Sequence, residues 1–158
     1  MSNDPKFPQR RSIRMAGYDY GQTGWYFITV CTDARARLFG EIVDAAMQPN
    51  ASGTVVNTCW LALAEKNSFI ELDAYVLMPN HVHGILHLTQ STKPLGRIVG
   101  AFKTMSTARI NSLRNTPGEP VWQRNFYEHV IRNEKSLSRI REYIHNNPIR
   151  WDSDPENH

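Results

Sequence analysis

The sequence predicts an α+β fold: one antiparallel β-sheet with helices packed on one face, a sandwich of the ferredoxin or RNA-recognition type. Segments rich in aromatic and β-branched residues, such as GWYFITVCT at residues 24–32, alternate with segments whose apolar residues recur at helical spacing. The order along the chain is strand, helix, strand, strand, helix, strand, helix. The length, 158 residues, suits one domain with a modest core.

Residues 1–23 read as a basic arm, polar at the start and carrying Arg10, Arg11 and Arg14. Residues 24–32 are the first strand. RLFGEIV (37–43) reads as a short strand or hairpin piece, and DAAMQPNASG (44–53) as loop. Val55, Val56, Cys59, Trp60 and Leu63 then recur at helical spacing, with Thr54 available as N-cap. SFIELDAYVLMP gives a strand ending at Pro79, HVHGILHL a second one, and Asn80 suits a tight antiparallel connection between them. Pro94 opens a helix from Leu95 to about Leu113, with Lys103, Arg109 and Arg114 on its polar side. NTPGEP is loop, and VWQRNFYEHVIR (121–132) reads as mostly strand. A last helix carries the stripe Leu137, Ile140, Ile144 and is stopped by Pro148. The domain therefore spans residues 24–151, followed by a polar tail at 152–158.

The chain has 18 Lys and Arg against 15 Asp and Glu, a formal net charge of +3. This mild basicity fits a polyanionic partner. Cys31 and Cys59 have no close spacing, which argues against a disulfide framework or a Cys-ligated zinc site and for reduced thiols. The opening MSNDPKFPQRRSIRM lacks the apolar core of a secretory signal, and no stretch reaches the length of a membrane span. A cytoplasmic protein with no membrane partner is the expectation.

The segment YVLMPNHVHGILHL holds the chemistry. Side chains alternate along a strand, so His81, His83, Ile85 and His87 share one face and Val82, Gly84, Leu86 and Leu88 the other. With the valine side in the core, both imidazoles emerge opposite it, about 7 Å apart at Cα. That spacing allows two ring nitrogens to converge on one divalent ion. It equally fits two half-exposed histidines on an open sheet face. His87 lies too far along the strand to close the same site. Two histidines leave an ion underligated, so a third donor must come from elsewhere, with positions left for water or a substrate oxygen.

Tyr143 and Asn147, four apart in REYIHNNP, are expected on nearly one face of the last helix, at the edge of its apolar stripe. A boundary tyrosine and a helix-terminal asparagine are the bland alternatives. Beside a metal, however, a phenol gains: the cation favours the phenolate and polarises a phosphoryl oxygen. That pairing suits attack on a phosphodiester with a phosphotyrosyl intermediate.

His81-Val82-His83 after MPN, VWQRNFYEHVIR and REYIHNNP, in this order, resemble the single-tyrosine transposases with a His-hydrophobic-His motif, and among them the REP-associated tyrosine transposases. RRSIRMAGYDYGQTGWYFITVCT and GRIVGAFKTMSTARIN are similar to the same branch, so the resemblance runs from about Arg10 to Trp151. It implies a sheet-plus-helices fold and a DNA strand transferase acting on single-stranded DNA with imperfect hairpins. It implies that His81 and His83 hold Mg²⁺ or Mn²⁺ and that Tyr143 becomes linked to a 5′ phosphate, freeing a 3′ hydroxyl. Asn147 matches the third metal ligand, a glutamine in many insertion-sequence relatives. Tyr127 is the rival nucleophile, without an amide at the i+4 position.

DNA binding fits the charges: Arg10, Arg11 and Arg14, with Lys103, Arg109, Arg114 and Arg124, are phosphate candidates. Tyr18, Tyr20 and Trp122 are candidates for stacking on unpaired bases. Two other readings stand beside the transferase: a hairpin-DNA-binding module without cleavage, and a metal hydrolase in which the histidines activate water. A homodimer is a lean drawn from insertion-sequence relatives, and association with nucleoid DNA follows from the partner.

Overall fold

A computed structural model describes residues 23–90 and 93–153. Strands β1 (Gly24–Cys31), β4 (Ile70–Met78), β5 (His81–Leu88) and β6 (Tyr127–Ile131) form an antiparallel sheet in the order β4-β5-β1-β6. The short strands β2 (Gly40–Val43) and β3 (Ala46–Pro49) form a separate hairpin. The helices are α1 (Ala51–Lys66), α2 (Leu95–Arg114) and α3 (Glu134–His145). Setting the hairpin aside, the order β-α-β-β-α-β with β1 and β5 central is the ferredoxin-like arrangement, so the expected α+β sandwich is the observed fold.

Alternation in β5 decides which side faces what. Val82, Leu86 and Leu88 join Tyr26, Ile28 and Val30 of β1 against Trp60 of α1 and Phe102 of α2. Gly84 lies on this face directly under Trp60: a Cβ there would come 2.2 Å from the indole. The missing side chain lets the indole lie flat on the sheet, where it also stacks on Tyr75 at 5.0 Å.

The placement of α3 refines the one-face arrangement. Its stripe Ile140 and Ile144, with Leu137, packs on Phe27, Ile85 and Ile131, on the opposite side of the sheet from α1 and α2. A bulge in β4 helps to fix it. Leu72 pairs with Leu86 and Tyr75 with Gly84, so Asp73 and Ala74 together oppose a single residue of β5. Ala74 turns toward α3, and Asp73 takes a two-pronged grip from Arg141, Nε to Oδ1 at 2.8 Å and Nη2 to Oδ2 at 2.7 Å. This bidentate pair fixes the rotation of α3 about its axis.

Three local expectations are corrected. Residues 46–49, read as loop, are strand β3: Asp44 and Ala45 take left-handed φ values of 53° and 62°, the pair of conformations that suits a two-residue hairpin turn. The N-cap of α1 is Asn50, whose Oδ1 accepts the Gly53 N–H at 2.9 Å, while Thr54 sits inside the first turn. In residues 121–132 only Tyr127–Ile131 is strand; the preceding loop forms an isolated bridge, Trp122 with Thr32, just past the end of β1. The arm at residues 1–22 and the end of the tail lie outside the described residues.

Two predictions follow from this packing. Gly84→Ala forces the indole off the sheet, with an expected loss of about 1–3 kcal/mol in urea unfolding. Asp73→Asn costs about 0.5–1 kcal/mol at neutral pH. The Arg141 hydrogen bonds hold the Asp73 carboxyl below its usual pKa. The wild-type advantage over Asp73→Asn is therefore full above about pH 4 and vanishes as pH falls through that lowered value. Unfolding midpoints of both proteins across this range check the sign.

Candidate active site

His81 and His83 stand where alternation in β5 puts them, on the α3 side of the sheet. They are not on an open face: relative exposure is 0 % for His81 and 3 % for His83. The ring of Tyr143 packs edge-on to His83 at 5.3 Å, and that of Trp151 lies 6.3 Å from His81. The two Nε2 atoms face each other at 3.1 Å. Burial drives the His81 pKa down to about 3, with Arg35 adding to the effect and the Asn147 side chain opposing it. Burial, then the neighbouring His81, pushes His83 well below the usual histidine range. Both rings are neutral at pH 7, the form that ligates metals.

Each ring is held from behind. His81 Nδ1 lies 2.7 Å from Asn80 Oδ1, an acceptor oxygen, so that nitrogen carries the proton and Nε2 is bare. His83 Nδ1 lies 2.8 Å from Thr29 Oγ1, and Thr29 is the residue opposite His83 in β1. A hydroxyl can donate or accept. It can therefore give its proton to Nδ1 while His83 Nε2–H bonds His81, or take the proton from Nδ1 and leave both Nε2 lone pairs facing one point. Partners of this kind orient metal-binding histidines.

Helix α3 ends at His145, with Asn133 as its N-cap through Oδ1 and the Ser136 N–H at 2.8 Å. Asn147 therefore lies just beyond the helix, its N–H on the Ile144 carbonyl at 3.2 Å, rather than inside it. The turn folds its side chain inward. Asn147 is buried, and its Oδ1 makes no hydrogen bond of good geometry, although the side chain acts on His81. A buried oxygen left in this state costs about 1–3 kcal/mol unless a ligand satisfies it. With His83 Nε2 unprotonated, two imidazole nitrogens and an amide oxygen would form a donor set for a divalent ion. Among the described residues no three His, Cys, Asp or Glu side chains are grouped to share an ion, so any third donor among them is of another type.

The other sequence candidates fall elsewhere. Tyr127 pairs with Thr29 in the sheet and its ring meets Phe27 at 6.0 Å, the ring that Tyr143 also meets at 6.3 Å. His87 stacks on Trp25 at 4.1 Å and bonds Glu71 at 2.9 Å, a structural role far along the strand. Lys103 directs its ammonium at the carbonyls of Gln123, Arg124 and Asn125, at 2.8, 2.9 and 3.2 Å, so it secures the loop before β6 instead of facing a phosphate. Burial lowers its pKa. Arg124 is exposed on that loop. Arg109 is exposed on α2, across the sheet from the imidazoles. Trp122 is core, with its Nε1–H on Ser106 Oγ at 2.9 Å. Arg10, Arg11, Arg14, Tyr18 and Tyr20 lie outside the described residues. Sequence reasoning missed Thr29 and Asn80: the first depends on strand register, and the second reads as a turn residue.

Comparison with known proteins identifies the family and agrees with the fold. Residues 24–147 match the family described as "Transposase IS200 like". An uncharacterized protein of Haemophilus influenzae is 39 % identical over 166 residues, covering 92 % of this chain and 91 % of that one. A second protein of that organism, provisionally named a REP-associated tyrosine transposase, is 26 % identical over 140 residues, covering 84 % of this chain and 74 % of its own. Among solved structures, that of a REP-associated tyrosine transposase bound to a REP hairpin superposes with a TM-score of 0.65 at 21 % identity, covering 87 % of this chain and 74 % of that one. With its histidine pair, its tyrosine helix and this match across most of its length, the chain belongs to the IS200-like transposase family, in the company of the REP-associated tyrosine transposases.

Proposed function

We propose that this chain is a DNA strand transferase that binds hairpin-containing single-stranded DNA and cleaves and rejoins it through a 5′-phosphotyrosine intermediate. The observation that carries the reading is the meeting of four groups: two neutral imidazoles with Nε2 atoms 3.1 Å apart, a buried unsatisfied amide oxygen, and a tyrosine ring against His83. The hairpin in the related solved structure supports the substrate class. Such a substrate assigns the protein to the cytoplasm, at chromosomal DNA.

Tyr143 Oη attacks phosphorus, the P–O3′ bond breaks, and the departing 3′ oxygen takes up a proton in place of the one lost by the phenol. Rejoining runs the same exchange in reverse with a new 3′ hydroxyl. His81, His83 and Asn147 are the residues that would hold Mg²⁺ or Mn²⁺. The ion, when bound, supplies Lewis-acid polarisation of the phosphoryl oxygen. Asn80 holds His81 with its Nε2 bare, and Thr29, when it accepts from His83 Nδ1, turns the second Nε2 lone pair toward the same point. Tyr143 is carried by a helix docked on the sheet of its own chain, so one chain contains all of these groups. That favours a nucleophile acting in cis and makes a homodimer unnecessary for cleavage.

A binding-only protein of the same fold is the second reading, and the burial of both imidazoles is what favours it. Denaturing gels separate the two. The protein is incubated with Mn²⁺ and end-labelled single-stranded hairpins taken from repeats flanking its gene. The transferase reading predicts a metal-dependent shifted band, absent in Tyr143→Phe. Hairpin binding without any adduct selects the binding protein, and cleavage that survives Tyr143→Phe selects a hydrolase.

A second prediction concerns the supports. Thr29→Val and Asn80→Leu each lower Mn²⁺ affinity by about 10- to 100-fold while the fold persists. Calorimetric titration gives the affinity, and far-UV circular dichroism the fold. Thr29→Ser, which keeps the hydroxyl, retains most of the affinity.

A further inference from the structure

The loop after β1 is fastened to the turn that carries His81. Thr32 N–H bonds the Asn80 carbonyl at 2.9 Å, and Thr32 Oγ1 lies 3.1 Å from the same oxygen and 2.8 Å from the Ala36 carbonyl. Phe39 N–H bonds the Pro79 carbonyl at 3.1 Å. Asn80, whose Oδ1 holds His81, also directs Nδ2 toward the Arg35 carbonyl at 3.4 Å. One asparagine thus joins the histidine pair to this loop.

Within the loop, Ala34 and Arg35 take φ values of 56° and 55°, a left-handed pair in which neither residue is glycine. Such conformations cost about 1 kcal/mol or more each and persist where surrounding structure imposes them. Here the imposed turn carries two exposed arginines beside the site. The Arg35 guanidinium is near enough to oppose protonation of the buried His81. The Arg37 guanidinium lies 5.4 Å over the Trp151 ring, which is itself the neighbour of His81. Asp33 and Glu41, each four residues from Arg37, and Asp152 beside Trp151 are the neighbouring acidic residues, and all three are exposed.

We propose that Arg35 and Arg37 form a phosphate-binding wall of the active site, receiving phosphodiesters of the unpaired strand that flanks the hairpin. This site rests on the strand-transferase reading and deepens it. The arginines neutralise backbone charge next to the scissile bond, and the strained loop holds them there before DNA arrives.

Fluorescence anisotropy in EDTA tests this without any need for cleavage. The probes are a hairpin with an unpaired flank and the same hairpin with the flank removed, titrated across a salt series. Arg35→Gly, which keeps the left-handed backbone, and Arg37→Ala are each expected to reduce the slope of log affinity against log salt by about 0.7 on the flanked probe. That is about fivefold weaker binding at 0.1 M salt, relative to an extrapolation from 1 M. The flankless hairpin is unaffected. Arg37→Lys keeps the slope, and Arg97→Ala on α2 is the control. If the slope is unchanged in both variants, the proposal is overturned, even if their melting temperatures fall; the arginines then only support the turn at Trp151. If wild type binds neither probe, the strand-transferase reading itself fails and this site with it.

Discussion

Burial of β5 on both faces is the constraint on which the site depends. A ferredoxin-like sheet with helices on one side leaves its other face wet, and histidines there are solvated. Here α3 covers that face. Ile140 and Ile144 seal Phe27 and Ile85, and the same docking brings Tyr143 against His83. Hydrophobic packing thus sets the distance between Tyr143 and the imidazoles, and the Asp73–Arg141 pair sets the rotation of the helix that carries the tyrosine. Groups supported by regular elements keep their geometry better than groups on loops.

Burial has an electrostatic consequence. An exposed imidazole is partly protonated near neutral pH, whereas desolvation holds both of these neutral. Two neutral rings 3.1 Å apart can share a proton or turn two lone pairs toward one point. Thr29 allows either arrangement, since its hydroxyl can donate or accept, while Asn80 fixes His81 in one tautomer. The unsatisfied Asn147 oxygen beside them is a cost that the fold alone does not offset. Such a cost is at home in a site that meets its partner only on binding.

Much of this was legible in the sequence. The alternation of HVHGILHL assigned His81 and His83 to one face and Val82, Leu86 and Leu88 to the other. The element order indicated the antiparallel sandwich, and the Leu137/Ile140/Ile144 stripe located the helix that bears Tyr143. Other features depend on long-range pairing. Thr29 is an ordinary strand residue until register sets it opposite His83. The second side of the sheet became covered only when α3 docked there, so the depth of the imidazoles could not be read from β5 alone. RLFGEIV was legible as a hairpin piece, but its partner β3 was missed because Asp44-Ala45 lacks the glycine that marks most left-handed turns. Lys103 had the spacing of a surface cation, but three carbonyls 20 residues or more away claim it.

The central claim is that the tyrosine on α3, and not the one on β6, attacks DNA. Tryptic digestion and mass spectrometry after incubation with Mn²⁺ and a hairpin substrate address it directly. Cleavage after Arg141 and Arg150 isolates Tyr143 in the peptide EYIHNNPIR, and cleavage after Arg124 and Arg132 isolates Tyr127 in NFYEHVIR. This account predicts a nucleotide mass on the first peptide and none on the second. A nucleotide on NFYEHVIR, or cleaved DNA with both peptides unmodified, would contradict it.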